Sequence, residues 1–303
     1  MKQEPLISVI LVNYNGYDDT RECVRSLLAS DYRNIRICIV DNASSKNIVE
    51  YDDVIKEDRC DIVYLKNNIG FAGGNNVGIE YSKKYNPDYY LILNNDTVVK
   101  RDFLKPLLRK CIANDKIGIA TGKVLYYDEP SILWFGGSYF DSKLCEYRIK
   151  GIGCIDNGDY DQETEIYYTT GCFMLIPAAV LNKVGKMSED YFLYYEDADY
   201  CERIKSYGFS IYYLPKSIIY HKESASVGIE SPLRIYYHTR NRLIFAQRIL
   251  SKKRIRICSY IYQTTFALCK KILIFTIQAK FHLIPFLFKG IKDGIYFINN
   301  NSK

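Results

Sequence analysis

Short apolar runs punctuate the first third of the chain, and each breaks off in polar residues. Ile7–Val12 ends in Asn13-Tyr14-Asn15-Gly16, Ile35–Val40 in Asp41-Asn42, Asp61–Leu65 in Lys66-Asn67-Asn68, and Tyr89–Leu93 in Asn94-Asn95-Asp96. Between the first two runs, Asp18–Ser30 reads as a helix. Runs of this length alternating with helical stretches predict an α/β fold, with a mostly parallel sheet flanked by helices. Open parallel sheets bind ligands at the carboxyl ends of their strands, so Asn13, Asp41, Asn67, Asn68 and Asp96 are expected to converge on one crevice. Asn, Asp and Gly also make turns, which accounts for any one of these positions taken alone.

The pattern then changes. Residues 118–168 mix short β-like pieces with Gly and Asp, Thr169–Ile176 returns to a buried strand, and Pro177–Val184 reads as a helix with Pro in its first turn and Gly185 closing it. Two more strand-like runs, Ile211–Leu214 and Ser217–Tyr220, lead to His221. No uninterrupted apolar run reaches the roughly 18 residues of a spanning helix. The nearest, Ile272–Phe288, is broken by Gln278, Lys280, His282 and Pro285, which suits a helix lying on a membrane. At 303 residues, 48% hydrophobic and 25% charged, the chain is expected to hold one large domain with an appendage. Tyrosine, at 29, suits clefts and wet interfaces, although codon bias gives the same excess.

Charge is divided unevenly. Residues 231–303 carry 14 Lys and Arg against the single acid Asp293, although the whole chain is only +6. A mildly acidic body with a strongly basic end points to an anionic lipid surface or a nucleic acid, and no nucleic-acid reader motif is present. The ten cysteines form no CxxC pair and no zinc spacing, and no signal-like segment precedes the first strand. Reduced thiols and a cytoplasmic location are therefore expected.

Three local patterns carry chemistry. In Tyr194-Tyr195-Glu196-Asp197-Ala198-Asp199-Tyr200-Cys201-Glu202-Arg203, four acids crowd the start of a helix. The helix dipole favours acids there, and crowding in a cleft also raises a carboxyl's pKa and makes it a usable base. Asn94-Asn95-Asp96 sets a carboxylate beside side-chain amides at a strand end, which suits a divalent cation that keeps positions for phosphate and water. His221 is one of three histidines and follows a strand near the expected crevice. Gly70–Asn76 is not GxGxxG, and neither a phosphate-binding GxxxxGK[ST] loop nor a GxSxG elbow occurs.

In order and spacing, Ile7–Asn15, Val40–Ser44, Asn67–Asn76, Leu93–Asp96, Thr170-Gly171-Cys172 and Glu196–Asp199 resemble the family 2 glycosyltransferases of the GT-A fold, within them the rhamnosyltransferase and galactofuranosyltransferase branch. The resemblance spans about residues 6–245. It implies a Rossmann-like sheet and an inverting transfer of a sugar, rhamnose first among candidates, from a nucleoside-diphosphate donor, dTDP- or UDP-linked. The acceptor it implies is a hydroxyl on a growing, lipid-linked glycan of bacterial surface type.

By position, Asp41 would bind the pyrimidine with Val12 and Tyr14 lining its pocket. Asn68, Gly70 and Asn76 of the glycine loop would flank base and ribose, with Asn95 near the ribose. Asp96 stands for the family's metal carboxylate, Asn94 replaces the motif's first acid, and His221 sits where some members place a further ligand to Mg²⁺ or Mn²⁺. Asp197 matches the general base, with Glu196 beside it. Trp134, Gly171 and Asp199 fall on the acceptor side, although core packing explains Trp134 equally.

The expected division is a catalytic domain over 1–230, its nucleotide half at about 1–117 and its acceptor half at about 118–230, followed by a basic amphipathic helical tail over 231–303. Such a tail would hold the enzyme at an anionic membrane surface, at the inner face of the plasma membrane. The competing readings are a nucleotidyltransferase, which would carry a glycine-rich loop with a Lys/Arg signature where Asn13–Tyr17 stands, and a non-catalytic scaffold of the same fold.

Overall fold

A computed structural model describes residues 4–45, 57–141, 146–223 and 231–301; the expected domain boundary at residue 230 lies outside them. The first half unfolds as β1 (Ile7–Asn13), α1 (Tyr17–Leu28), β2 (Ile35–Asp41), β3 (Cys60–Tyr64), α2 (Gly70–Ser82), β4 (Tyr89–Asn94), β5 (Thr97–Val99) and α3 (Leu104–Ala113). The second half follows as β6 (Ile117–Tyr126), β7 (Leu133–Phe135), β8 (Ser138–Asp141), β9 (Glu146–Ile149), β10 (Thr164–Ile166), β11 (Phe173–Pro177), α4 (Ala178–Val184), α5 (Glu196–Ser206) and β12 (Ser210–His221). Four tail helices close the chain: α6 (Pro232–Ile249), α7 (Lys253–Thr264), α8 (Phe266–Ile277) and α9 (Ile284–Asn301).

The main sheet runs β10-β12-β6-β11-β4-β1-β2-β3, with β5 beside β12 and β7 beside β6. Six of the eight strands in that path point the same way, β10 and β11 being reversed. Strands β1, β2 and β4 are apolar on both faces because helices cover both, and Val9, Ile10, Ile37, Ile39, Leu91 and Ile92 are fully buried or nearly so. Register sets the strand ends side by side: Asn13 opposite Asp41, and Val12 opposite Asn94. This is the crevice expected from the polar strand ends.

Three expectations need correction. Residues 70–76 are no loop but the start of α2, with Gly74 and Gly78 pressed against the sheet. A Cβ on Gly74 would lie 2.8 Å from Val12 Cγ1, and one on Gly78 only 2.4 Å from Ile10 Cγ2. These glycines therefore buy closeness of helix to sheet rather than turn flexibility. The two runs before His221 form a single strand, β12, whose register against β6 shifts between Leu214 and Ile218. Ile272–Phe288 is also not one helix: α8 ends at Ile277, Ala279 has φ +56°, and a 3₁₀ turn at Phe281–Leu283 leads into α9.

Helix α9 lies along α6, its Gly290 and Gly294 set against the Tyr236 and Arg240 carbonyls, at 2.8 and 3.0 Å from where a Cβ would stand. Phe275, Leu283 and Leu287 form a small core of their own in the tail. Overpacking a close helix–sheet contact costs about 1–3 kcal/mol. Gly78→Ala should therefore lower the thermal unfolding midpoint by several degrees, and an unchanged midpoint would show that α2 can drift from β1 without cost.

Candidate active site

At the carboxyl ends of β1, β2 and β4 opens a cleft of about 420 Å³. Six of the residues singled out in the sequence line it: Val12, Tyr14, Asn68, Gly70, Asn95 and Asp96. Side-chain amides build its floor. Asn13 donates to Asp41 Oδ2 at 3.0 Å and accepts from Gly16 N and Thr20 Oγ1, tying β1 to β2 and to the start of α1. Asn95 donates to Thr20 Oγ1 at 2.8 Å. Asn42 donates to Asn68 Oδ1 and to the Gly70 carbonyl, and accepts from Ile69 N.

Asp41 is almost fully buried in this network, with Oδ1 taking Ser44 N at 2.9 Å. Opposite it on β3 stands Tyr64, whose ring is 57% exposed. Gly70 has φ +79°, and a Cβ there would come within 2.1 Å of the Phe192 carbonyl, so only glycine fits where the loop before α5 crosses α2.

On one side of the cleft, His221 Nε2 lies 3.1 Å from Asp96 Oδ1 and 3.3 Å from Asn94 Nδ2. The His221 ring meets Trp134 edge-on, centroids 4.6 Å apart, and its Nδ1 has no hydrogen-bond partner among the described residues. A carboxylate oxygen and an imidazole nitrogen at this separation suit two adjacent positions on one divalent ion. Among the described residues no three His, Cys, Asp or Glu side chains cluster, so an ion there would take most of its shell from phosphate oxygens and water. Lys222, next in sequence, pairs with Asp19 at 2.8 Å and Glu22 at 2.5 Å and fixes this rim to α1.

Asp197 sits in the first turn of α5. Its Oδ2 accepts from Tyr168 Oη at 2.8 Å and Gly171 N at 3.1 Å, and its Oδ1 from Ala198 N at 2.7 Å. Gly171 belongs to the site through that amide. A Cβ there would strike the ring of cleft-lining Phe71 at 2.7 Å and stand 3.7 Å from Asp197 Cβ. Burial raises the Asp197 pKa, and its three hydrogen bonds pull it back only in part. Burial, then the neighbouring Asp197 charge, raises Glu196 well above the carboxylate range, and Glu196 Oε2 finds no partner among the described residues. Tyr168 is pushed up by burial and by Asp197, so its phenol stays a proton donor.

Two expected site residues point elsewhere. Asn76 binds the Met187 backbone and Glu189, which anchors the loop after α4 rather than a ligand. Asp199 lies one face further round α5, where Arg203, Arg248 and Tyr191 surround it. Tyr168 was not anticipated: as one of 29 tyrosines it carries no sequence signal. Asn42 stood inside a quoted motif, and only the fold reveals its bridging role.

The profile of glycosyl transferase family 2 matches residues 8–185. The dTDP-rhamnosyl transferase RfbF of Shigella flexneri is 22% identical over 95% of this chain and 97% of its own. The low-salt glycan biosynthesis hexosyltransferase Agl10 of Haloferax volcanii is 25% identical over 83% of this chain and 78% of its own. Among solved structures, the mannosyltransferase PcManGT of Pyrobaculum calidifontis, in complex with GDP-Man and Mn²⁺, superposes with TM-score 0.59 and 12% identity over 97% of this chain and 88% of that one. GalNAc-T7 with UDP, GalNAc and Mn²⁺ gives 0.62 at 14% identity over 82% of this chain and about half (51%) of that one. The fold is thus GT-A, as the sequence motifs implied.

A group whose folded pKa is raised favours the folded state while protonated, and that contribution is lost as pH rises through the folded value. Glu196→Gln is accordingly expected to raise the unfolding midpoint at about pH 8 and to lose that advantage toward about pH 4, where glutamate in the unfolded chain is itself largely protonated. A midpoint difference that does not change with pH would show that Glu196 is not a strained buried acid.

Proposed function

The chain belongs to glycosyl transferase family 2, and we propose that it transfers one sugar, rhamnose the first candidate, from a nucleoside diphosphate to a glycan hydroxyl with inversion. The observation that carries this reading is a partly buried carboxylate, Asp197, held by Tyr168 and Gly171 next to the cleft-lining Phe71, with Asp96 of the same cleft set against His221. Asp197 takes the proton from the acceptor hydroxyl as that oxygen attacks the anomeric carbon from the face opposite the diphosphate. Tyr168 and Gly171 orient the carboxylate and leave its remaining lone pairs for the acceptor.

Asp41, with Tyr64 beside it on β3, would recognise the pyrimidine, and the cleft-lining Asn68 and Asn95 would run along the nucleoside. Asp96 and His221 would hold Mg²⁺ or Mn²⁺, whose chemistry when bound is to offset the charge of the departing diphosphate. With Asn94 in place of an acid, one negative charge fewer faces that ion. The names of the relatives support rhamnose from dTDP-rhamnose first, and a glycan as acceptor.

The tail supports work at an anionic, lipid-bearing surface. Phe266, Leu273 and Ile277 are 70%, 59% and 76% exposed along one stripe of α8, and Ile257 and Ile261 project from α7. Lys253, Arg254, Arg256, Lys270 and Lys271 lie on the same two helices. Apolar side chains among cations insert at an interface while the charges meet anionic headgroups. Among the described residues no helix is long and apolar enough to cross a membrane. A lipid-linked acceptor would place its glycan within reach of such a surface.

Donor and base can be tested together. Thermal shift with dTDP-rhamnose, UDP-galactose and GDP-mannose, with and without Mn²⁺, should single out one nucleotide. Asp197→Asn should keep that donor's affinity while transfer falls on the order of 10²–10⁴-fold; near-normal transfer would remove Asp197 from the role. For the surface, the full chain should sediment with phosphatidylglycerol vesicles, weakly with phosphatidylcholine, and less as salt rises. Equal binding to both lipids would contradict the charge argument.

A further inference from the structure

Asp197 and Glu196 follow a backbone that ordinary side chains avoid. Tyr194 and Tyr195 have φ +68° and +75°, two successive left-handed residues, neither of them glycine, directly before the helix. Such a conformation persists only where the surroundings over-determine it. Helix α5 has no side-chain cap to fix its start, so the constraint comes from outside.

Its source is one face of α6. Asn241 is fully buried, and its single amide nitrogen donates to both the Leu193 and the Tyr194 carbonyls, each at 2.9 Å. Arg240 donates to Asn241 Oδ1 at 2.6 Å and to the Asp190 carbonyl at 3.0 Å, holding amide and loop in one frame. His238 stacks on the Tyr194 ring at 4.2 Å and meets the Tyr195 ring edge-on at 5.9 Å. Tyr237 stacks on Phe192 at 5.1 Å, and Phe192 lines the donor cleft. Burial and the nearby Arg234, Lys271 and Arg242 push the His238 pKa down to about 3, so the ring is neutral in use and acts as a flat aromatic surface.

We infer that Asn241, with His238 stacked behind Tyr194, is a positioning residue for the transfer, fixing the left-handed pair that aims Asp197 at the acceptor. The inference rests on the reading of Asp197 as the base. Neither side chain touches the reacting atoms. They act by selecting the conformation of residues 193–195, so their loss affects the chemical step more than nucleotide binding, which the strand ends provide. The four-residue stretch from Phe192 to Tyr195 also links the donor cleft to the base, because Phe71 N donates to the Phe192 carbonyl at 2.9 Å.

The test compares the wild-type full chain with Asn241→Ala, His238→Leu and Asp197→Asn. Calorimetric titration with UDP and dTDP counts the sites able to bind nucleotide. Release of nucleoside diphosphate from dTDP-rhamnose, UDP-galactose and GDP-mannose then gives kcat per such site. Asn241→Ala is expected to lose about 10–100-fold in kcat per site, the scale of a misplaced catalytic group. Its nucleotide Kd should stay within about two-fold, a split that plain destabilisation would not produce.

His238→Leu should show the same split to a smaller degree, and it carries the test alone if Asn241→Ala does not fold. Values of kcat per site within about two-fold of wild type in the folded variants would overturn the positioning role, whatever Asp197→Asn does. Undiminished turnover by Asp197→Asn would instead overturn the base assignment. In that case a kcat loss in the α6 variants would mean that the loop positions some other group.

Discussion

Two adjacent carboxylates stand at the first turn of α5, Glu196 buried and Asp197 partly so, and an ion removed from water is destabilising unless something replaces the lost solvation. Asp197 has replacements: a phenol, two backbone amides and the start of a helix. Glu196 has few: its Oε2 finds no partner among the described residues, and burial, then the Asp197 charge, raises its pKa well above the carboxylate range. Much of the surrounding architecture follows from this pair. Strand β11 must begin near Gly171 to offer an amide, Tyr168 must reach across from the segment between β10 and β11, and Gly171 must lack a side chain so that Phe71 can close over the spot.

The cleft floor solves a different problem with different chemistry. The proposed diphosphate donor would bring its own negative charge, and the floor is built from amides, which donate and accept without adding to it. Asn13, Asn42, Asn68 and Asn95 cross-link three strand ends and two helix starts, and the carboxylate they most enclose, Asp41, is held by Asn13 and Ser44. Among the described residues, the cleft-lining acid with a histidine beside it is Asp96, whereas Asp19 of the same lining is paired with Lys222. The proposed transfer would use two of these charged places, a base on α5 and a cation-binding pair at Asp96 and His221.

This division explains what was readable in the sequence. Strand ends are legible because apolar runs stop abruptly in polar residues, so the pattern pointed to Asn68 and Asp96, which line the cleft, while Val12 and Asn95 came with the family resemblance. Gly70–Asn76 misled because glycines suggest turns, whereas here Gly74 and Gly78 let α2 approach Val12 and Ile10. Asn76 and Asp199 sit in the right motifs, but a helix turns 100° per residue. Two residues past Asp197, Asp199 faces Arg248, and five residues past the cleft-lining Phe71, Asn76 meets the Met187 backbone. Tyr168 and Asn241 were invisible for a further reason: their partners lie 29 and 47–48 residues away, and no local pattern records such a contact.

That last distance also alters how the tail relates to the body. Its charge and exposed apolar residues suggest an appendage, yet α6 supplies the hydrogen bonds and rings that hold residues 192–195, and Leu233 at its start lines the cleft itself. Helix α9 is pressed along α6 through Gly290 and Gly294, and α8 shares a small core with both. The helices that carry the exposed apolar stripe are thus joined by packed contacts to the helix that shapes the catalytic loop. A surface that engages α7 and α8 would act on elements that bear directly on α6. On the proposed function, the basic composition of residues 231–303 and the geometry around Asp197 would answer one constraint, an acceptor arriving from the side where the tail lies.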